Sequence, residues 1–386
     1  MQPGDRHSTR QTLTVLHPAF ALTGVIQAIG GPLLPSLASS FHLNDNQSGL
    51  MFLLYFGGTS LGALFCRGNY ARTMVVGFIG VVACCLGIAA TGRPLLPLLF
   101  LLLGISVGLP MSAISLFAGR NFPERCAPIL TFLNFSWSAG ALAAPLLAAQ
   151  VLVHHSYRAA YMVLAVAAAV AALACWMMIE DAPEVARVPR EKDSFTNLRF
   201  IVVFALAAFL QVGIENTATV WLSTYALRLN GSGVVLAAAA AALYWFGFLA
   251  SRGLSSAVML RADPARVFRV ALAVALTGAL LLAVFPSFAG GTIAMFLLGL
   301  ALAPIYPLII AGTFACVRRT SDSRWVLATA GFGGSVLPWV AGWISTHTGS
   351  LRVGMLVIPA ALLLMAFALP AMGGQRQAAT EKPAES

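Results

Sequence analysis

The chain has 386 residues, of which 59% are hydrophobic and 9% are charged, and its mean hydropathy is +0.86. Soluble domains carry roughly 25% charged residues, so this composition excludes a water-soluble globular protein. A formal net charge of +10 would suggest nucleic acid as the partner of a soluble protein. Here the basic residues fall in short connectors between apolar runs, as the positive-inside rule predicts for a membrane protein, and no nucleic-acid partner is expected.

Twelve apolar runs are long enough to cross a bilayer, which takes about 20 residues of helix. The predicted spans lie near residues 13–40, 47–66, 72–92, 95–118, 127–153, 160–179, 199–227, 233–258, 265–285, 289–314, 325–346 and 352–371. If both termini lie on one side, that side carries 18 of the 23 Lys and Arg residues and the opposite side carries four. We therefore expect a multi-pass protein with both termini in the cytoplasm, and the short tails favour a prokaryotic plasma (inner) membrane.

A long polar connector divides these spans six and six. It predicts an N-terminal six-helix bundle at residues 1–179, a cytoplasmic linker at 180–198, a C-terminal six-helix bundle at 199–372 and a disordered cytoplasmic tail at 373–386. The halves repeat similar residues in the same order: Phe20, Gly24 and Gln27 match Phe209, Gly213 and Asn216, Tyr55 matches Tyr244, and Gly140–Pro145 matches Gly333–Pro338. Parallel repeats of this size predict two bundles with a central site between them.

Twelve spans, a charged central linker and a six-plus-six repeat together resemble the major facilitator superfamily. The Gly/Asp/Arg-rich signature of that family corresponds here to Gly62–Arg72, where Cys66 replaces the usual acidic residue while Arg67 and Arg72 remain. The resemblance implies an all-α membrane fold of twelve transmembrane helices in two pseudo-symmetric six-helix bundles. It also implies transport by alternating access rather than enzymatic activity.

Within the superfamily, three segments look like the fucose-proton symporter family and its sodium-dependent glucose transporter relatives. They are Gly213-Ile214-Glu215-Asn216 followed by Trp221, Asn134-Phe135-Ser136-Trp137, and Gly333–Trp339. This resemblance implies hexose-type substrates. The fucose transporter uses acidic residues in spans 1 and 4, whereas this chain has Gln27 in span 1 and Leu109-Pro110-Met111 in span 4. The family's coupling residues therefore do not carry over directly.

Glu215 is the only acidic residue well inside a predicted span. A charged side chain near the bilayer centre costs roughly 3 kcal/mol or more, so its presence requires a reason. At 1.5 Å per residue, Glu215 lies about 24 Å from the cytoplasmic end of span 7. Low-dielectric surroundings favour the protonated form of a carboxyl group, and Glu215 is therefore the predicted coupling residue. The alternative is a hydrogen-bonded Glu that holds helices together.

Arg252 is the other charged residue within a predicted span, about 9 Å from the cytoplasmic end of span 8. The axial gap to Glu215 is then about 15 Å, so a direct ion pair is not expected. A long Arg side chain extends readily to the interface, which favours a gate over ligand contact. With Arg67 and Arg72, Arg252 forms the predicted cytoplasmic gate.

Amide and aromatic side chains at mid-depth form the predicted substrate site, because amides bond hydroxyl groups and an indole offers an apolar face with one N–H donor. The set is Gln27, Asn134, Trp137, Asn216, Trp221, Tyr244, Tyr306 and Trp339. For the amides, the competing explanation is hydrogen bonding between helices. For Trp221, near the outer end of span 7, it is anchoring at the membrane interface.

We therefore expect a secondary active transporter that imports a neutral sugar, a hexose or related polyol, together with a cation. The expected cation is the proton, with sodium as the alternative, and no bound cofactor or metal is expected. The partners are then the sugar and the lipid bilayer, and the lack of long outer loops favours a monomer. Two alternatives stay open: an exporter of amphipathic drugs or metabolites on the same fold, and a membrane sugar sensor that does not transport.

Overall fold

The computed structural model describes residues 3–66, 68–122, 126–179, 198–229, 233–259, 262–285, 287–316 and 320–366. The helices are α1 (Pro3–Phe41), α2 (Asp45–Phe65), α3 (Tyr70–Ala90), α4 (Leu96–Asn121), α5 (Cys126–His154), α6 (Tyr157–Met178), α7 (Leu198–Arg228), α8 (Val234–Met259), α9 (Pro264–Val284), α10 (Phe288–Leu302), α11 (Ile305–Cys316), α12 (Thr320–Thr348), α13 (Leu351–Gly354) and α14 (Val357–Met365). A 3₁₀ turn at Arg93–Leu95 precedes α4. No strand occurs in this part of the chain.

These helices confirm the twelve-span prediction. Within the described residues, ten helical segments are long and apolar enough to cross a membrane, and the tenth of them joins α10 to α11. The eleventh span is α12, with 29 residues, and the twelfth is α13 followed by α14. Of the predicted non-helical segments, the tail and the linker up to residue 197 lie outside the described residues.

Short, well-defined connectors join the helices at the end of the bundle where α1 finishes. The Asn44 side chain accepts the backbone N–H of Gln47 at 2.8 Å, and the Gln47 side chain accepts that of Asn44 at 3.1 Å. This reciprocal pair satisfies two N–H groups that the first turn of α2 leaves without helical acceptors. After α12, Gly349 adopts a φ of +68°, which glycine allows without steric penalty. The connectors thereby fix the ends of α2 and α12.

The tenth span is interrupted between α10 and α11, at residues 303–304. Pro304 cannot donate a backbone hydrogen bond, so the helical ladder is broken there. The side chain of Gln211 in α7 donates to the carbonyl oxygen of Leu302 at 3.0 Å. A carbonyl at the break is thus satisfied inside the protein, which a membrane environment requires.

The helices form two pseudo-symmetric bundles. In the first half, α1 packs on α5, α2 on α4, and α3 on α4 and α6; in the second, α7 packs on α12, and α10 on α8 and α9. Close approaches at glycines repeat between the halves: Gly104 lies against the carbonyl of Tyr55, and Gly299 against that of Tyr244. In each case an added methyl group would stand 1.9 Å from the oxygen, so neither half accepts a side chain there. Tyr55 and Tyr244, which the repeat predicts to be equivalent, therefore make the same helix-packing contact in the two halves.

The halves contact one another through α2 and α12, α5 and α8, and α1 and α7. We call the end of the bundle where α1 begins the terminal face, and the end where α1 finishes the distal face. The core contacts between the halves run along the axis from one face to the other. They enclose the region where the predicted site residues of α7, α8 and α5 lie.

Candidate functional site

Glu215 lies close to the middle of α7, a helix of 31 residues. At about 1.5 Å per residue it is roughly 25 Å from the terminal end of that helix and 20 Å from the distal end. The residues that follow it, from Asn216 to Ala226, are all buried, whereas Glu215 keeps part of its surface accessible. The single acidic side chain of this helix is therefore less completely covered than the residues that follow it.

Three side chains interact electrostatically with Glu215: Arg252 and Tyr244 from α8 and Tyr306 from α11. Arg252 interacts with the same two tyrosines. Opposite charges and phenol groups thus share one region in the centre of the C-terminal half. We call Glu215, Arg252, Tyr244, Tyr306 and Trp137 the central site.

Arg252 connects this region to the N-terminal half. Its guanidinium donates to Ser138 Oγ at 2.8 Å and to the Asn134 carbonyl oxygen at 3.3 Å, both in α5. It also lies 4.7 Å from the ring centre of Phe248 and 5.7 Å from that of Trp137. Cation–π contacts of this kind strengthen in desolvated surroundings. Arg252 therefore reaches inward across the boundary between the halves, rather than outward to the terminal interface.

Aromatic rings form one wall of the central site. Trp137 of α5 meets Trp245 of α8 edge to face at 5.7 Å, and Trp245 meets Tyr244 at 5.2 Å and Phe248 at 5.3 Å. Of the described residues of the N-terminal half, Trp137 is the one that joins this cluster. The indole ring of Trp137 consequently packs on the C-terminal half, although the backbone of Trp137 belongs to the N-terminal half.

Two buried donors at this wall have no hydrogen-bond partner within the described residues: the Trp137 indole N–H and the Tyr244 hydroxyl. Buried polar groups are nearly always hydrogen-bonded, and a buried group left without a hydrogen bond costs about 1–3 kcal/mol of stability. Two such donors beside a carboxyl group and a guanidinium form a set suited to a hydroxyl-rich ligand, with aromatic faces for its apolar side.

Two of the predicted substrate residues are used in packing within the C-terminal half. Asn216 donates to the Gly334 carbonyl oxygen at 3.1 Å, and the Trp221 indole donates to that of Pro338 at 2.9 Å. Trp221 has no exposed surface. These bonds join α7 to α12, so the structure does not bring either side chain to the central site.

The side chains of Gln27 and Asn134, the other predicted amides, have their described contacts within the N-terminal half. Gln27 borders a small cavity inside the N-terminal half that Tyr55 and Tyr161 also line. The amide of Asn134 donates to the Leu130 carbonyl in its own helix, and only its backbone oxygen meets Arg252.

Trp339 lies at the distal face instead, where the two halves are joined by polar contacts. Its indole donates to Asn46 Oδ1 at 3.0 Å. Next to it, Arg228 of α7 forms a bidentate pair with Asp45 of α2 at 2.6 and 2.7 Å, and Ser345 of α12 also donates to Asp45. We call Asp45, Asn46, Arg228, Trp339 and Ser345 the distal latch.

The predicted cytoplasmic gate is only partly described. Arg67 lies outside the described residues. Arg72 is exposed on the terminal face, in the first turn of α3, where its backbone N–H donates to the Asn69 side chain at 2.7 Å. Arg252 lies in the central site, so the structure does not bring Arg252 and Arg72 together.

Sequence reasoning missed the distal latch and the contact of Arg252 with Ser138. Asp45 and Arg228 stand at span ends where charged residues are ordinary, and 183 residues separate them. Their opposite charges at the same predicted depth were the one available signal. No group of His, Cys, Asp and Glu side chains suited to a metal ion occurs among the described residues.

Known proteins resemble this chain over most of its length. A glucose/galactose transporter of Brucella abortus is 27% identical over 369 residues, which cover 87% of this chain and 88% of that protein. The glucose/mannose transporter GlcP of Bacillus subtilis is 22% identical over 374 residues, which cover 89% and 91%.

Solved structures show the same fold. A bacterial homologue of the human lysosomal transporter Spinster, inward-facing and unoccupied, matches with a TM-score of 0.74 at 15% identity, covering 98% of this chain and 99% of that one. The major facilitator transporter FucP, in its outward conformation, matches with a TM-score of 0.63 at 17% identity, covering 94% and 98%. Residues 16–321 match the model of the Major Facilitator Superfamily, and this chain, a multi-pass membrane transporter rather than an enzyme, belongs to that family.

Proposed function

We propose that this protein is a proton-coupled importer of a neutral sugar, a hexose or related polyol, and that it works by alternating access. Glu215 carries the proton, and the central site binds the sugar between the two halves. The observation that carries this proposal is Glu215 placed near the middle of α7, beside Arg252 and the unpartnered hydroxyl of Tyr244. The names of the curated relatives, which are glucose, galactose and mannose transporters, support the sugar.

The sugar in this proposal bonds to the groups that the protein leaves without partners. The Trp137 indole N–H and the Tyr244 hydroxyl serve its oxygen atoms, and the Glu215 carboxylate accepts its hydroxyl protons. The rings of Trp137 and Trp245 cover its apolar face. Since Trp137 comes from one half and Tyr244 from the other, bound sugar is held by both halves.

Protonation of Glu215 links the ion to the conformational change in this mechanism. While Glu215 is charged, it attracts Arg252 within the C-terminal half. Once Glu215 is neutral, it no longer attracts Arg252, and the hydrogen bonds of Arg252 to Ser138 and to the Asn134 carbonyl oxygen become stronger. The charge of one carboxyl group thereby changes how strongly α8 is held to α5.

The state described here is closed at the distal face, where the latch joins the halves. We propose that the terminal face is cytoplasmic, because the connectors at that end carry most of the Arg and Lys residues. The protein then lies in a prokaryotic inner membrane, and it works as a monomer because each chain supplies both halves of its site.

The test uses purified protein in liposomes with radiolabelled glucose, galactose or mannose. A gradient of one pH unit is worth about 1.36 kcal/mol per proton and supports up to about tenfold accumulation. We expect Glu215→Gln to reduce accumulation to equilibration while leaving sugar exchange intact, and Glu215→Asp to keep some accumulation because it keeps the carboxyl group. If Glu215→Gln still accumulates sugar in response to pH, the assignment of Glu215 is wrong.

The same liposomes separate the alternatives. Accumulation driven by a sodium gradient without a pH gradient identifies sodium as the coupling ion. Sugar binding without any tracer exchange indicates a sensor. Transport of lipophilic cations, with no sugar exchange, indicates an exporter, and the proposal of a sugar substrate then fails.

A further inference from the structure

A cavity of 260 Å³ lies between the two halves on the distal side of the central site. The N-terminal half lines it with residues of α1 and α5, such as Pro35 and Leu152, and the C-terminal half with residues of α7 and α8, such as Leu227 and Ala238. No member of the central site lines it. It is therefore a separate space whose walls meet only because the distal face is closed.

The walls are neutral and mostly apolar. Three polar side chains interrupt them: Ser36, Ser223 and His155. Ser223 is only 3% exposed, and its hydroxyl has no hydrogen-bond partner within the described residues. His155 is exposed and stands at the rim. An apolar space with one unpartnered buried hydroxyl suits a ligand that is mainly hydrocarbon and carries a single hydroxyl group.

The volume of the cavity is sufficient for one ring. An apolar cavity of about 150 Å³ is enough to bind benzene. Pockets for drug-sized molecules begin at about 300 Å³. A cavity of 260 Å³ lies between these values, so it accommodates a six-membered ring with two or three further heavy atoms.

We propose that this cavity binds a small neutral amphipathic molecule, a monocyclic phenol or alicyclic alcohol, and that binding holds the distal face closed. A ligand shifts a conformational equilibrium by as much as its affinity differs between the states. Separation of the halves at this face moves the α1 and α5 walls away from the α7 and α8 walls, which removes half of the ligand's contacts. The ligand therefore inhibits transport without occupying the sugar site; this consequence rests on the proposed alternating access.

The test measures binding of 4-ethylphenol to the purified protein in detergent by calorimetry and by thermal stability. Ala238→Leu places three carbon atoms in the cavity and is expected to abolish binding. Ser223→Ala removes one hydrogen bond and is expected to weaken binding about 2- to 10-fold. The control is Ala169→Leu, the same exchange at an exposed position of α6, and it is expected to bind as the native protein does. Ala149→Leu fills the cavity from the other half if Ala238→Leu does not fold.

If 4-ethylphenol binds equally well to the native protein, to Ala238→Leu and to Ala149→Leu, it binds in the detergent or at another site. That result overturns the proposal. Binding in detergent needs no transport, so this result is independent of the proposed function. Sugar transport without 4-ethylphenol binding refutes the cavity proposal alone. Binding of 4-ethylphenol without sugar transport refutes the sugar proposal alone. If both hold, 4-ethylphenol lowers the maximal rate of sugar uptake without raising the sugar's KM.

Discussion

Removal of the charge pair at the distal latch tests whether these contacts hold the transporter closed at that face. Asp45 begins α2 in the N-terminal half, whereas Arg228 and Ser345 belong to α7 and α12 in the C-terminal half. Asp45→Asn keeps the size of the side chain and leaves the Asn44 cap of α2 in place, but it removes the charge and one of the two equivalent oxygens. We expect this variant to populate the distal-open state at the expense of the closed one.

The magnitude follows from the exposure of the pair. Arg228 is 48% exposed, and exposed ion pairs contribute about 0–1 kcal/mol. Asp45 is only 15% exposed and accepts a bidentate guanidinium as well as the Ser345 hydroxyl, and such charge-assisted bonds are stronger. We therefore expect a loss of about 1–2 kcal/mol from the closed state. That corresponds to about a 5- to 30-fold shift in the ratio of the two states.

Distances between spin labels measure this ratio directly. Ser40→Cys at the distal end of α1 and Val235→Cys at the start of α8 are exposed positions in opposite halves. Asp45→Asn, Arg228→Gln and the double variant are expected to increase the long-distance population by similar amounts, since either change breaks the same pair. Arg93→Gln, which removes an exposed charge at the same face, is the matched control. An unchanged distance distribution in all three variants would show that the latch does not stabilise the closed state.

Four further substitutions have distinct expected results. Gly31→Ala places a methyl group 2.0 Å from the Thr219 carbonyl oxygen in the other half, so it is expected to open the distal face in the same label measurement. Gly24→Ala places a methyl group 2.1 Å from the Trp137 carbonyl oxygen in its own half. This overpacking costs about 1–3 kcal/mol, so Gly24→Ala is expected to lower the melting temperature without opening the distal face. Arg252→Lys keeps the charge but loses the planar donor group, so sugar uptake is expected to fall at least tenfold while protein yield is unchanged. Gln211→Leu removes the bond to Leu302 at the helix break and is expected to cost about 1–3 kcal/mol in thermal stability, with Thr277→Val on an exposed surface as the control.

The fold was largely predictable because membrane spans are recognised by length and polarity alone. The main differences concern helix ends: α1 begins at Pro3 rather than near residue 13, and α12 begins at Thr320 rather than near residue 325. Polar residues end a membrane span but not a helix, since a helix continues in water wherever its residues permit it. The interruption of the tenth span at Pro304 was visible in the sequence, while its stabilisation by Gln211 was not.

The candidate site was less predictable. Glu215 could be found because a single carboxyl group in an apolar helix is costly. For Arg252, counting residues gave an axial gap of about 15 Å from Glu215, which stays a prediction. The expected orientation toward the interface differs from the structure, where the long side chain donates to Ser138 and to the Asn134 carbonyl oxygen of α5. Trp339 and Asn46 meet although 293 residues separate them, and no local pattern encodes such a contact.

The two halves share their packing but not their charges. The offset of 189 residues that relates Tyr55 to Tyr244 places Ile26 opposite Glu215 and Ala63 opposite Arg252. Repetition therefore preserved the glycine contacts that shape each bundle, while Glu215 and Arg252 have apolar counterparts in the N-terminal half. Arg252 carries the influence of the Glu215 charge to the other half most directly, because its guanidinium donates to Ser138. Replacement of Ser138 by Ala, which leaves Glu215 and all charges in place, should then weaken the coupling of proton and sugar more than it weakens sugar exchange.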